Sequence, residues 1–142
     1  MFGNMFGGYQ HSLDVKGRVN FPVKLREELG ELFYVTKGLD GCLFVYSQEG
    51  WAALAERIHS LPMSRARDIQ RFFFGGAAEV EPDKQGRIMI PAHLRTFAGL
   101  SKDIMIAGTE DRVEIWDKQK WDERMNGLTD DVIAEAVDLA GF

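Results

Sequence analysis

The sequence predicts a mainly β protein with peripheral helices, formed by two pseudo-symmetric repeats in one chain. The first observation is a duplicated stretch: DVKGRVNFP, Asp14–Pro22, recurs as DKQGRIMIP, Asp83–Pro91. The second is composition, since a hydrophobic share of 45% with ten Phe and three Trp is ample for a packed core. The third is length, because a half of about 70 residues would hide only about 60% of its unfolded surface. The two halves of the 142-residue chain are therefore expected to share one core.

The repeat extends well beyond the duplicated turn. From Asp14 and Asp83 onward, six of thirteen positions are identical, where average residue usage predicts about one. After one inserted residue the match resumes and pairs Trp51 with Trp121. We predict a first repeat over 7–60, a helical linker over 61–75, a second repeat over 76–124 and an acidic helix over 125–142.

Each copy predicts the same order of elements. A strand enters the turn, and a short second strand, RVNF or RIMI, follows it. Pro22 and Pro91 suit the first position of a short helix that ends at Gly30 or Gly99.

A hairpin comes next in each copy, turning at 38–41 and at 108–111. Ser47 and Asp117 are candidate N-caps for the helix that closes each copy. A linking helix is predicted from Ser64 to about Phe74, and Thr129 is a candidate N-cap for the amphipathic tail. That tail could cover a core edge or a neighbouring subunit.

Charge and cysteine content limit the function classes. The net charge is −5, but residues 101–142 carry −6 and residues 1–100 carry +1, so the first hundred residues can hold basic surfaces. The single Cys42 cannot form an internal disulfide. No apolar run approaches the roughly 18 residues of a membrane span, and the MFGNMFGG start lacks the features of a signal peptide. We expect a cytoplasmic protein without membrane contact.

The duplicated turn admits a structural and a functional interpretation. In the structural one, the aspartate accepts backbone hydrogen bonds, the glycine supplies a positive φ, and the arginine pairs with the aspartate. The turn residues in question are Asp14, Gly17, Asp83 and Gly86. An exposed ion pair contributes only about 0–1 kcal/mol, which explains poorly why arginine occupies both places.

In the functional interpretation, Arg18 and Arg87 read DNA. An arginine fork can donate two hydrogen bonds to guanine O6 and N7 in the major groove, which admits a two-stranded β-ribbon. Lys16 and Lys84 would contact phosphates and fix the register. We expect two such fingers, one from a protruding hairpin in each copy.

Enzymatic alternatives fit the residues less well. Asp14 and Asp83 resemble the carboxylate pair of aspartic proteases, but Ser or Thr and then Gly follow the aspartate there, whereas Lys16 or Lys84 lies close by here. A neighbouring lysine favours the ionised carboxylate and opposes a shared proton. The three histidines and the cysteine lack the short spacings of a metal site; they are His11, His59, His93 and Cys42. We expect no enzyme, no metal, no cofactor and no small-molecule substrate.

The chain resembles the MraZ family, which belongs with the AbrB and SpoVT regulators. The resemblance rests on DVKGRVNFPVKLREELG and DKQGRIMIPAHLRTFAG, with GYQHSLD upstream and WDKQKWDE downstream, and it covers residues 7 to about 125. It implies a swapped-hairpin, double-split β-barrel formed by two AbrB-like repeats.

The same resemblance implies a function. Members of the family are bacterial transcription regulators that bind G-rich direct repeats of double-stranded DNA ahead of the division and cell-wall gene cluster containing their own gene. The chains assemble into homo-oligomeric rings, and the DNA-reading arginines fall on Arg18 and Arg87. A cytoplasmic, nucleoid-associated location follows. This chain departs from the pattern at Gln85, which replaces the lysine of the first copy, and lacks the N-terminal arginine of many relatives.

One alternative shares the same fold. An antitoxin-like module would bind a partner protein as well as DNA. The C-terminal segment has helical patterning rather than the composition of a disordered toxin-binding tail, so DNA reading is the preferred hypothesis.

Overall fold

The computed structural model describes residues 3–141, which form eight strands and six helices. The strands are β1 (Met5–Ser12), β2 (Arg18–Asn20), β3 (Phe33–Lys37), β4 (Leu43–Ser47), β5 (Ala78–Val80), β6 (Arg87–Met89), β7 (Asp103–Glu110) and β8 (Val113–Asp117). The helices are α1 (Val23–Leu29), α2 (Gln48–His59), α3 (Met63–Phe73), α4 (Ala92–Ala98), α5 (Lys118–Asn126) and α6 (Asp130–Leu139). Residues 1–2, and the last residue of the acidic helix predicted over 125–142, lie outside this range.

Six strands form one antiparallel sheet with a palindromic order. The order β1-β7-β8-β4-β3-β5 reads the same from either edge when each strand is exchanged for its counterpart in the other repeat. Each repeat's hairpin therefore carries the entering strand of the other repeat at its outer edge, β1 on β7 and β5 on β3. The expected swapped pairing and the two-repeat, mainly β fold with peripheral helices are confirmed.

The remaining strands form a separate two-stranded ribbon. β2 of the first repeat pairs with β6 of the second, in the register Arg18 with Met89, Val19 with Ile88 and Asn20 with Arg87. The six-stranded sheet itself is open, with β1 and β5 at its edges, so it does not close into the expected barrel. The sheet stays open because β2 and β6 pair with each other and do not bridge its two edges.

Two hydrophobic clusters lie on opposite faces of the sheet. The ribbon, α1 and α4 cover the larger one, which includes Val19 and Ile88 from the ribbon and Leu25 and Leu94 from the two helices. An aromatic cluster around Phe44, Tyr46 and Trp116 fills the other face, under α2, α3 and α5. Since β4 is buried along its whole length, it faces a core on both sides.

Local signals in the sequence place most helix boundaries correctly. Ser47 caps α2 by accepting a hydrogen bond from the Gly50 backbone N–H at 3.0 Å. Asp117 and Thr129 cap α5 and α6 in the same way. Helices α1 and α4 begin one residue later than predicted, because Pro22 and Pro91 occupy the N-cap positions rather than the first helical positions.

The second hairpin turns later than predicted. β7 continues through Gly108 to Glu110, and Gly108 pairs with Gly7 of β1. A Cβ at Gly108 would lie 2.5 Å from the Phe6 backbone nitrogen, so this glycine allows β1 to approach rather than forming a turn.

Within residues 3–141, no helix is long and apolar enough to cross a bilayer.

Candidate nucleic-acid interface

The first duplicated turn is organised by the carboxylate of Asp14. One oxygen, Oδ1, accepts the backbone N–H groups of Lys16 and Arg18, both at 2.9 Å. The other, Oδ2, accepts the Arg18 Nε–H at 2.7 Å. Gly17 closes the turn at φ 83°, a conformation that residues with a Cβ rarely adopt.

The second turn repeats this geometry closely. Asp83 accepts the backbone N–H groups of Gln85 and Arg87 and the Arg87 Nε–H, all at 2.9 Å. Gly86 has φ 78°. Both turns therefore contain the backbone hydrogen bonds, the positive-φ glycine and the arginine–aspartate ion pair that the structural interpretation describes.

These hydrogen bonds also stabilise the charged form of both carboxylates. The backbone N–H of Arg18 is the largest cause that lowers the pKa of Asp14, and the backbone N–H of Arg87 does the same for the pKa of Asp83. Both carboxylates are therefore ionised at neutral pH and hold the two guanidinium groups.

Arg18 and Arg87 share one face of one ribbon. Val19 and Ile88 point into the core, so the flanking residues of each strand point outward. The side chains of the two arginines are 32% and 31% exposed. The prediction of two separate hairpin fingers is wrong. Strands β2 and β6 pair with each other across the repeats, and neither pairs with its own entering strand.

The ion pairs leave the ends of both guanidinium groups available. In the described part of the chain, Nε makes the only hydrogen bond from either arginine side chain, and it goes to the neighbouring aspartate. The two terminal nitrogens of each fork are the atoms that can donate in parallel to a guanine edge. Each aspartate thus fixes the direction of a guanidinium group without occupying its terminal nitrogens.

Lys16 and Lys84 are exposed at the tips of the two turns. They lie in the loops that precede the ribbon strands, so they flank its outward face. The position equivalent to Lys16 in the second turn is Gln85, which offers no positive charge there.

Two further arginines, Arg26 and Arg95, lie against the turns and were assigned no role from the sequence. A Cβ at Gly17 would lie 2.7 Å from Arg95 Cζ, and a Cβ at Gly86 would lie 2.8 Å from Arg26 Cζ. Each guanidinium therefore packs over the turn of the other repeat. The sequence aligns Arg26 with Arg95 in the repeat, which marks them as a matched pair. It does not show which turn each guanidinium contacts, because those contacts depend on the swapped strand pairing.

The surroundings of these two arginines differ in charge. Arg26 lies in a cleft of about 970 Å³ between α1 and the Asp83 turn, together with Glu27, Glu31 and Glu81. Arg95 lies in the equivalent cleft of about 960 Å³, where Thr96 and Leu100 occupy the positions of Glu27 and Glu31, and Lys102 adds a positive charge. The outward face of the ribbon is thus flanked by one acidic and one slightly basic cleft, although the backbone around it is nearly symmetric.

Comparison with known proteins assigns the family. The family model described as "MraZ protein, putative antitoxin-like" matches the chain twice, over residues 5–72 and 73–136. The chain belongs to the MraZ family. Two adjacent matches that together cover most of the chain also confirm that it contains two copies of one unit.

Curated MraZ proteins resemble the chain over most of its length. "Transcriptional regulator MraZ" of Acetivibrio thermocellus is 54% identical, with 96% of this chain and 99% of that protein covered. The protein of the same name from Heliobacterium modesticaldum is 58% identical over 81% of this chain and 82% of its own. A solution structure from Pyrococcus horikoshii covers 79% of this chain and 88% of its own at 14% identity with a TM-score of 0.32, which is too weak a likeness to support inference.

Proposed function

We propose that the chain is a sequence-specific DNA-binding transcription regulator that reads guanines with Arg18 and Arg87. The proposal rests on the two guanidinium groups that lie on the outward face of the ribbon. Within residues 3–141, each is bound at Nε by an aspartate and makes no hydrogen bond from its terminal nitrogens. A two-stranded ribbon fits the major groove, where each bidentate arginine contact discriminates between bases by about 1–3 kcal/mol. The relatives named as transcriptional regulators support the same class of function.

The proposed targets are G-rich direct repeats upstream of the protein's own operon, within the bacterial division and cell-wall gene cluster. Lys16 and Lys84 would contact the phosphates that flank these bases and fix the register of the ribbon. Such a protein acts in the cytoplasm in association with the nucleoid. The division into segments 7–60, 61–75, 76–124 and 125–142 remains a prediction within this proposal.

Arginine substitutions test the reading role directly. Arg18→Ala and Arg87→Ala should each remove most of the preference for a G-rich repeat over a scrambled duplex in gel shifts, with the fold unchanged by circular dichroism. Arg18→Lys keeps the charge but loses the fork, so it should lose preference as well. Arg71→Ala is the matched control, since this arginine lies on α3 with its side chain 72% exposed. Unchanged preference in both alanine variants would reject the proposal.

The lysines should behave differently from the arginines. Lys16→Ala is expected to weaken binding to all duplexes about equally. It should also reduce the slope of log affinity against log salt concentration by about one. A changed base preference in this variant would show that Lys16 reads bases.

Self-assembly into a ring is part of the proposal. Helix α6 has no buried residue, and its apolar side chains Val132 and Ile133 are exposed. A second copy could cover this face, and several weak reading faces on one ring could raise affinity for repeat arrays by 10² or more, as a rough scale. Removing residues 129–142 should leave the sheet folded and yield smaller particles in light scattering. If particle size did not change, α6 would not be the assembly surface.

An antitoxin-like role is the second candidate, favoured by the wording of the family description. In that case the apolar face of α6 would bind a different protein. Purification from native cells with a stoichiometric partner would favour this role, and a homogeneous homo-oligomer would favour the ring.

A further inference from the structure

The outward face of the ribbon carries two side chains besides the arginines. Asn20 lies opposite Arg87, and Met89 lies opposite Arg18. Both are exposed, Met89 to 55%, and within residues 3–141 the side-chain amide of Asn20 makes no hydrogen bond. The face therefore presents four side chains, the two arginines together with Asn20 and Met89.

Asn20 and Met89 occupy equivalent positions of the two repeats. At the offset of 69 that aligns Arg18 with Arg87, Asn20 aligns with Met89. The pseudo-two-fold symmetry relates the two halves of the ribbon, and these residues break it. The break occurs on the surface that faces outward, whereas the inward pair, Val19 and Ile88, is conservative in size and polarity.

The chemistry of the two side chains selects different bases. An asparagine amide can donate to adenine N7 and accept from its N6 amino group, a pairing that matches adenine alone in the major groove. A methionine offers no donor but makes apolar contact, which suits the methyl group of thymine. Outward residues on one strand are about 7 Å apart, which corresponds to about two base-pair steps of 3.4 Å.

We propose that Asn20 and Met89 are specificity-determining residues that read unlike bases beside the two guanines, so that one ribbon recognises a short, non-palindromic word. Asn20 selects adenine next to the guanine of Arg87, and Met89 selects thymine next to the guanine of Arg18. This inference rests on the proposed DNA-reading role of the arginines. It also explains why a nearly two-fold symmetric protein would prefer a non-palindromic site.

Selection of sites from a random duplex pool tests this inference with the full-length protein. Asn20→Ala should relax the base on the Arg87 side, with the preference for adenine falling on the order of tenfold. Met89→Asn should make the face symmetric and shift selection towards palindromic sites with adenine on both sides. Met63→Ala is the control for methionine loss, because Met63 is 77% exposed on α3, away from the ribbon.

The outcomes separate this inference from the proposed function. Loss of guanine selection in the Arg18→Ala and Arg87→Ala proteins, together with altered neighbouring bases in the Asn20 and Met89 variants, supports both. Retained guanine selection with unchanged neighbouring bases in folded Asn20→Ala and Met89→Asn proteins overturns the inference alone. A wild-type protein that selects no guanine overturns the proposed function, and the inference with it.

Discussion

Replacing Gly17 by alanine should disturb the first duplicated turn through two separate effects. The backbone there has φ 83°, where an L-residue costs about 1–2 kcal/mol. The new Cβ would also lie 2.7 Å from Arg95 Cζ. Carbon atoms pack at about 3.5 Å or more, so the Arg95 guanidinium must retreat by about 0.8 Å.

A second glycine provides a matched control for this substitution. Gly41 also has φ 83°, but a Cβ there would meet no atom within 4 Å. Gly41→Ala should therefore show the backbone cost alone, about 1–2 kcal/mol. Gly17→Ala should reach about 2–3 kcal/mol, since displacing a packed side chain commonly costs about 1 kcal/mol or more.

Thermal unfolding at one fixed protein concentration measures the difference between the two variants. For a chain of this size we expect roughly 4 °C of lost Tm per kcal/mol. DNA affinity should fall only for Gly17→Ala, because Gly41 lies in the β3–β4 turn, away from the ribbon. Equal losses of stability and equal affinities would refute the idea that the Arg95 contact supports the turn.

Three further outcomes are expected. The pKa values of Asp14 and Asp83 are lower in the folded state than in the unfolded state. Their contribution to stability is therefore present above the unfolded value of about 3.9 and is lost as pH falls through the folded values. Asp14→Asn should accordingly flatten the acid limb of a plot of unfolding free energy against pH. Burial raises the pKa of Cys42 to about 12, so the thiol should resist iodoacetamide at pH 8 until the protein unfolds, as a mass-spectrometric time course would show. Asp117→Ala removes the α5 cap and the acceptor of the Ser101 hydroxyl, and should cost about 1–3 kcal/mol in denaturant unfolding, more than Ser47→Ala at the equivalent cap of α2.

Features that depend on local sequence were predictable. The aspartate and glycine of each turn, the N-caps at Ser47 and Asp117, and the helix ends at Gly30 and Gly99 all follow from the backbone preferences of single residues. The two-copy organisation was also predictable, because the repeat is visible in the sequence itself.

Features that depend on pairing between the repeats were not predictable from the residues alone. Nothing in RVNF or RIMI indicates that these strands pair with each other rather than within their own copies, and the swap was expected only from the family resemblance. The two-finger prediction was wrong for this reason. The contacts of Arg26 and Arg95 with the opposite turns were missed for the same reason, since they exist only once the repeats have exchanged partners.

The exchanged edge strands have a consequence for how the protein can be divided. In the whole chain neither repeat pairs its own entering strand, because β1 binds the hairpin of the second repeat and β5 binds that of the first. A cut in the connection near Leu61, between α2 and α3, severs no strand pairing. The two fragments should therefore be unstructured apart and should recover the sheet when mixed, so the chain is a natural candidate for a split reporter whose signal requires both halves.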